Sequence, residues 1–233
     1  MKLPLLAAIL ACFSLAANAD EAEIRKAFES KLGKIEKIAK SPIPGLWEIV
    51  TEGQVLYVDD KGTYLLHGSL VEVKTLRNLT AERMRDIEKA LIAGSLDAAI
   101  KQVRGNGKNV IMTFEDPNCG FCKKLAKEIQ SMKDVTVYTF LLPVLGEDSV
   151  KKSEAIWCAP DKSKAWVDWM TAGKALPPTP AKCDMAGLDK SRQLGIKLRI
   201  NGTPAIFFAS GERVPGYVPA AEIEKRFAAP AGG

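Results

Sequence analysis

Residues 110–129, VIMTFEDPNCGFCKKLAKEI, contain an apolar run, a turn and an amphipathic segment in direct succession. The run at 110–114 is rich in β-branched and aromatic side chains, which predicts a buried strand. The apolar positions after the turn have helical spacing, so a helix is predicted over residues 123–129. Cys119 and Cys122 therefore lie where a strand gives way to a helix.

Two cysteines separated by two residues can close a small, reversible disulfide, the arrangement that supports thiol–disulfide exchange. Cys119 is expected near the helix N-terminus, where unpaired backbone N–H groups and the helix dipole favour a negatively charged sulfur. Cys122 is expected further into the helix and more buried. The pattern predicts Cys119 as the nucleophile and Cys122 as the resolving thiol.

Two other interpretations of this cysteine pair remain open. Such a pair is also half of a four-ligand zinc site, which usually needs a second close pair of cysteines or histidines. The other chemistry-bearing candidates are a single histidine, His67, and two widely spaced cysteines, Cys158 and Cys183. We therefore expect no metal and no cofactor. The second alternative is a structural bridge that is never reduced.

The N-terminus has the pattern of a secretory signal peptide over residues 1–19. A lysine at position 2 precedes an apolar stretch at residues 3–15, and residues 17–19, Ala-Asn-Ala, supply a cleavage site. We expect cleavage after Ala19 and export to an oxidising compartment. Lipidation of Cys12 is the alternative, although it would leave a signal of only eleven residues.

Removal of the signal leaves four cysteines in an oxidising compartment, where an even count favours two disulfides. Four cysteines allow three pairings, and the sequence alone does not choose among them. Adjacency favours a reversible pair of Cys119 with Cys122, which leaves Cys158 with Cys183. That second bridge would close a loop of about 25 residues and would be structural.

Length and charge set broader limits. The chain has 233 residues and a formal net charge of +5, one unit of which belongs to the signal. Its lysines alternate with acidic residues, as in residues 31–37, which is typical of a solvated helix face. We therefore expect no nucleic acid partner.

Residues 20–78 are predicted to form a small α+β domain. Apolar residues recur with helical spacing over residues 20–40, which predicts an amphipathic helix bent near Gly33. Short strands separated by turns are expected at residues 46–51, 54–58, 63–67 and 69–74. A helix on so small a sheet is marginally stable alone, so pairing with a second copy is expected.

Residues 79–107 are predicted to form a helical linker. Thr80 is the expected N-cap of a helix over residues 81–92, and further helical turns are expected over residues 96–104. The alternative is that this stretch is an ordinary helix of a single domain.

Residues 108–230 are predicted to form an α/β catalytic domain with a helical insertion at about residues 147–188. Near its end, Thr203 and Pro204 precede an apolar strand, where proline cannot donate a ladder hydrogen bond. The expected use of this proline is a cis peptide bond in a tight loop. Such a loop leaves neighbouring backbone groups free to pair with an extended peptide.

The order of strand, CxxC helix and Thr-Pro strand resembles the thioredoxin fold. The whole chain resembles the DsbC/DsbG family of periplasmic thiol:disulfide interchange proteins over residues 21–227. The matching features are the CxxC segment, Gly202-Thr203-Pro204, Cys158, Cys183, and residues 41–46 and 64–68. The family usually has a tyrosine where this chain has Phe121, a change that keeps the ring and drops a hydroxyl.

The resemblance implies a V-shaped homodimer. The α+β N-terminal dimerisation domains, each a helix on a small antiparallel sheet, would make the interface, and helical linkers would carry two α/β thioredoxin-fold catalytic domains. The implied site residues are the catalytic Cys119 and Cys122, the substrate-binding Gly120, Phe121, Thr203 and Pro204, and the structural disulfide Cys158–Cys183.

The resemblance further implies a disulfide isomerase with chaperone activity that acts on misfolded, disulfide-containing exported proteins. A DsbD-like membrane thiol reductase would keep it reduced. There are two alternatives. One is a DsbG-like reductase with a narrow range of thiol substrates, and the other is a non-catalytic chaperone. Glu115 and Asp116 are expected to be solvated acids of the turn, with proton transfer to Cys122 as the alternative.

Overall fold

The computed structural model describes residues 20–228 in two compact units, the first ending at Gly68 and the second beginning at Ser69. The predicted signal peptide, residues 1–19, lies outside the described residues. Within the described part of the chain, no helix has both the length and the apolar character needed to cross a membrane.

The first unit is a helix packed on a four-stranded antiparallel sheet. Its elements are α1 (Glu21–Leu32), β1 (Ile35–Lys40), β2 (Leu46–Thr51), β3 (Gln54–Asp59) and β4 (Leu65–Leu66), with strand order β1-β2-β3-β4. Asp20 and Glu23 form a capping box at the start of α1. The buried core consists of Ile24, Phe28, Ile35, Ile38, Trp47, Ile49 and Val58. The predicted α+β arrangement is confirmed.

The predicted single helix over residues 20–40 is wrong beyond α1. Gly33 has a φ of +76°, a left-handed conformation that glycine adopts readily and that ends the helix. Ile35 and Ile38 belong to β1 and are both buried. The pairing of β1 with β2 is irregular between Ile35 and Lys37, so two isoleucines three residues apart both reach the core. This irregularity reproduces helical spacing within a strand.

The second unit begins with a small hairpin and a helix. Strands β5 (Val71–Glu72) and β6 (Arg77–Asn78) pair with each other, and α2 (Leu79–Ala93) follows directly. The strand expected at residues 69–74 is therefore shorter than predicted. Asn78 rather than Thr80 is the N-cap, because its side chain accepts a hydrogen bond from the Ala81 N–H. The Thr80 hydroxyl instead accepts the Leu70 N–H and ties the hairpin to α2.

A five-stranded mixed sheet forms the centre of the second unit. Its strands are β7 (Ile100–Arg104), β8 (Asn109–Glu115), β9 (Val135–Leu141), β10 (Ala205–Phe208) and β11 (Arg213–Pro215), in the order β11-β10-β8-β9-β7. Strands β8 and β9 are parallel, and the other neighbours are antiparallel. The remaining helices are α3 (Gly120–Ser131), α4 (Glu147–Trp157), α5 (Lys162–Ala172), α6 (Ala186–Lys197) and α7 (Ala220–Ala228).

The helical turns expected over residues 96–104 are only partly present. A short 3-10 helix covers Leu96–Ala98, and the rest of the stretch forms β7, which pairs antiparallel with β9. Burial alternates along β7, with Ile100 and Gln102 buried and their neighbours exposed, as in a half-buried strand. The predicted helical linker of residues 79–107 is therefore helical in α2 and ends in an edge strand of the five-stranded sheet.

Candidate redox site

Cys119 lies at the N-terminus of α3, after the short loop that follows β8. It is the N-cap residue, and its Sγ accepts a hydrogen bond from the Cys122 N–H at 3.3 Å. The sulfur thus meets the unpaired N–H groups and the positive end of the helix dipole, which both stabilise a thiolate. The predicted position of Cys119 at a strand-to-helix junction is confirmed.

The two cysteines of the pair have different environments. Cys119 is 6% exposed, whereas Cys122, one turn into α3, is completely buried. Within the described residues, both are free thiols. Burial, with a smaller contribution from the negative charge of Glu115, raises the pKa of Cys122 well above its usual range. Cys122 is therefore held as a protonated thiol, and Cys119 is the sulfur that a substrate can reach.

The chain returns to the cysteine pair at Thr203 and Pro204, which are joined by a cis peptide bond as predicted. The Cys119 thiol donates a hydrogen bond to the Thr203 carbonyl at 3.3 Å. The Gly216 N–H donates to the Pro204 carbonyl at 2.8 Å. Residues 84 positions apart meet because β10, which starts at Ala205, pairs with β8.

Gly120 and Phe121 form the outer side of the pair. The Phe121 side chain is 58% exposed, and a side-chain carbon at Gly120 would meet nothing within 4 Å. The surface beside Cys119 is therefore open and partly apolar, as contact with a polypeptide requires. The assignment of both residues to substrate binding stays a prediction.

Glu115 and Asp116 are completely buried, so the expectation that they are solvated acids is wrong. The Asp116 carboxylate accepts hydrogen bonds from the N–H groups of Val144 and Leu145 and from the Ser149 hydroxyl. These bonds fasten the loop before the cysteine pair to the segment that follows β9. Asp116 therefore has a structural role in placing the start of α3.

Glu115, the last residue of β8, is buried although only one of its two carboxyl oxygens has a hydrogen-bond partner among the described residues. Its Oε1 accepts a hydrogen bond from the Thr113 hydroxyl at 2.7 Å, whereas its Oε2 has no hydrogen-bond partner among the described residues. Loss of solvent raises the pKa of Glu115 to about 8. Its negative charge also contributes to the raised pKa of Cys122, so the two buried groups interact electrostatically.

Cys158 and Cys183 form a disulfide bond in the helical insertion. The bond joins the C-cap residue of α4 to the segment between α5 and α6. Beside it, the Trp157 Nε1–H donates to the Asp184 carbonyl at 2.9 Å. The structure thus selects the pairing of Cys158 with Cys183 among those that the sequence left open.

Among residues 20–228, no cluster of histidine, cysteine and acidic residues is placed to hold a metal ion.

Two aromatic residues that the sequence analysis did not select also lie at the site. The Trp169 Nε1–H donates to the Pro117 carbonyl at 2.7 Å, and the Lys123 ammonium lies 5.0 Å from the Trp169 ring centroid. The Tyr217 ring stacks on Phe121 with 6.3 Å between centroids. No local pattern marks either aromatic residue, because tertiary folding alone brings them to the CxxC segment.

Two family models match the chain. One, described as a thioredoxin-like domain, matches residues 96–229, and the other, described as the disulfide bond isomerase protein N-terminal domain, matches residues 15–81. The chain is 46% identical over 183 residues to the probable thiol:disulfide interchange protein DsbC of Bordetella pertussis, covering 78% of this chain and 64% of that protein. It is 33% identical over 228 residues to the thiol:disulfide interchange protein DsbC of Escherichia coli (strain K12), covering 93% of this chain and 91% of that protein.

The crystal structure of a disulfide interchange protein from Neisseria gonorrhoeae is also similar, with a TM-score of 0.54 and 43% identity over 57% of this chain and 96% of that chain. The chain spans less than two thirds of the length of the Bordetella relative, whereas it spans nine tenths of the Escherichia coli relative. The chain belongs to the DsbC family of thiol:disulfide interchange proteins, as its sequence motifs and the thioredoxin-like sheet around Cys119 and Cys122 led us to expect.

Proposed function

We propose that the chain is a periplasmic protein disulfide isomerase that rearranges wrong disulfides in exported proteins. The observation that carries the proposal is the geometry of Cys119. Its sulfur lies at the N-cap of α3, accepts the Cys122 N–H and adjoins the Thr203 carbonyl. Membership of the DsbC family and the predicted signal peptide of residues 1–19 support the compartment and the substrate class.

The first step is nucleophilic attack by the Cys119 thiolate on one sulfur of a substrate disulfide. The substrate S–S bond breaks, a mixed disulfide with Cys119 forms, and the other substrate sulfur leaves as a thiolate. That thiolate can attack elsewhere in the substrate, and a substrate thiolate finally displaces Cys119. The disulfide is then rearranged without net oxidation or reduction.

Cys122 provides an exit, that is, a route by which Cys119 releases a substrate whose rearrangement has stalled. Its thiolate attacks Cys119, forms the Cys119–Cys122 disulfide and releases the substrate in reduced form. Because buried Cys122 is held as a thiol, this attack needs a proton acceptor, and Glu115 fits that role. The exit oxidises the pair by two electrons, so an external dithiol, as in a DsbD-like membrane reductase, has to reduce it again.

Substrate would bind as an extended chain beside the cysteine pair. The backbone around Thr203 and Pro204 offers polar groups to such a chain, a form of β-augmentation. Gly120 leaves room for it, and exposed Phe121 offers an apolar contact. An apolar contact of this kind also supports the retention of unfolded chains that a chaperone requires.

The first unit is proposed to pair with a second copy of the chain. Its edge strand β4 consists only of Leu65 and Leu66, and both side chains are exposed, as is that of the preceding Tyr64. A second copy would cover these side chains and enlarge a core that is small for an independent domain. Such a homodimer would carry two redox sites.

The test is the recovery of activity from a ribonuclease with scrambled disulfides. The reduced protein should restore ribonuclease activity, and the Cys119→Ala variant should not. The Cys122→Ala variant should still rearrange disulfides but accumulate mixed disulfides, because its exit is lost. Reduction of the ribonuclease without recovery of its activity would favour the DsbG-like reductase with a narrow range of thiol substrates. Full recovery of ribonuclease activity by Cys119→Ala would overturn the proposal.

A further inference from the structure

We infer that Tyr217 and Phe121 together form an aromatic surface that binds an apolar or aromatic side chain next to the cysteine of the substrate. The inference rests on the proposed function, because it adds a specificity-determining residue, Tyr217, to the same site. Tyr217 is outside the CxxC segment and outside the Thr203–Pro204 loop.

The Tyr217 and Phe121 rings stack beside the nucleophile, with the Phe121 side chain exposed and the Tyr217 side chain half-buried against the core. Their planes are inclined by 28° with centroids 6.3 Å apart, and Phe121 lies between Cys119 and Cys122 in the chain. The Lys124 ammonium lies 5.3 Å from the Phe121 ring centroid. A side chain bound here would meet aromatic faces with a positive charge nearby, which favours apolar or aromatic groups over cations.

The Tyr217 ring is held in place by a hydrogen bond to a residue of α3, the helix that begins at the cysteine pair. Its hydroxyl donates a hydrogen bond to Glu128 Oε1 at 2.9 Å, and Glu128 Oε2 accepts the Ala220 N–H at 3.1 Å. Glu128 lies two turns after Phe121 in α3, so both project from the same face of that helix. The hydroxyl bond therefore holds Tyr217 against Phe121 and reduces the ordering cost when a substrate binds.

The backbone places Tyr217 beside the proposed path of the substrate. Tyr217 directly follows Gly216, whose N–H donates to the Pro204 carbonyl at 2.8 Å. The preceding carbonyl, that of Thr203, faces the Cys119 sulfur. A peptide that pairs with this loop while its sulfur meets Cys119 thus lies against the Tyr217 side of the site.

The experiment compares two glutathionylated peptides that differ in one residue, a phenylalanine or a glycine directly after the cysteine. The rate constant for forming the mixed disulfide with Cys119 is measured for each peptide with the mature chain, by acid quench and mass spectrometry. We expect the phenylalanine peptide to react about fivefold faster, the effect of one added aromatic contact. Tyr217→Ala should reduce this ratio to about 1.

Two further variants separate the surface from general damage. Tyr217→Phe keeps the ring and should retain at least about half of the preference. Ile196→Ala removes an exposed apolar side chain from α6 and should leave the ratio unchanged. The inference is overturned if the wild type reacts equally with both peptides, or if Tyr217→Ala keeps the ratio. Failure of both peptides to react would instead refute the proposed function.

Discussion

Cys119 and Cys122 are three positions apart and are free thiols, whereas Cys158 and Cys183 are 25 positions apart and are bonded to each other. Both pairs lie in or against one buried apolar cluster, so burial alone does not separate them. Their helix positions do. Cys119 is the N-cap of α3, at the positive end of the helix dipole, and Cys158 is the C-cap of α4, at the negative end.

This difference explains how one domain can contain both a reactive and an inert pair. The α3 terminus places a backbone N–H donor and the positive end of the helix dipole at the Cys119 sulfur, an environment typical of reactive cysteines. The α4 terminus gives Cys158 no such support, and its bond to Cys183 closes a long loop. The first pair also has a buried carboxyl, Glu115, whose negative charge contributes to the raised pKa of Cys122.

The largest expected contrast is in alkylation. In the mildly reduced protein, iodoacetamide should modify Cys119 at least about a hundredfold faster than Cys122, Cys158 or Cys183. Cys122 is buried as a thiol, and the other two are bonded. Peptide mass mapping over time gives the four rates. Comparable labelling of Cys158 and Cys119 would show that the two pairs are not chemically distinct.

The second contrast is in stability. Replacement of Cys158 and Cys183 by serine should lower the free energy of unfolding by about 3.5 kcal/mol, because an unfolded loop of this length loses its constraint. Urea unfolding followed by tryptophan fluorescence measures it. The matched control is the double replacement of Cys119 and Cys122 by serine, which removes no disulfide bond because both are free thiols in the reduced protein. Equal losses in both variants would contradict the structural role of the insertion disulfide.

A third contrast concerns Glu115. Under the proposed function the carboxylate form of Glu115 accepts the Cys122 proton, so formation of the Cys119–Cys122 disulfide from a mixed disulfide should accelerate as pH rises through about 8. Glu115→Gln should slow this step about tenfold and remove the inflection. Stopped-flow release of a fluorescent substrate thiol measures the rate. Thr113→Val, which removes a hydrogen bond to the acid but keeps the acid, should preserve the inflection.

The same group has an effect of known sign on folding. Burial raises the pKa of Glu115 in the folded state, so the folded protein binds the proton more tightly than the unfolded chain. Its contribution to stability is therefore complete below the unfolded pKa and is lost as pH rises through about 8. Glu115→Gln should make the free energy of unfolding less dependent on pH between the unfolded pKa of a glutamate and about 8. An unchanged dependence would show that Glu115 is not the titrating group.

The smallest expected effect is at Phe121. Phe121→Tyr adds a hydroxyl at an exposed ring, where water can solvate it, so the isomerisation rate should change by less than about twofold. Phe121→Ala removes the ring and should lower the rate severalfold. Assays with scrambled ribonuclease compare the two variants. A large loss in Phe121→Tyr would mean that substrate covers the ring edge more tightly than its exposure indicates.

Prediction from the sequence was most successful around Cys119. The strand, the turn and the amphipathic helix are all encoded within twenty residues, and their periods are unambiguous, so β8 and α3 were expected close to their observed limits. It failed where tertiary pairing changes a local pattern. The irregular pairing near Ile35 gives a strand helical spacing, and β7 is stabilised by β9, which lies far along the chain.

Local chemistry in the sequence was enough to identify a reactive CxxC pair at a helix start, because dipole and capping effects act within one turn. The burial of Glu115, the meeting of Thr203 with Cys119 and the stacking of Tyr217 on Phe121 depend on the folded structure. They arise when β8 and β10 pair and the chain beyond β11 packs beside α3. Desolvation and contact between distant residues exist only in the assembled core, which no local pattern encodes.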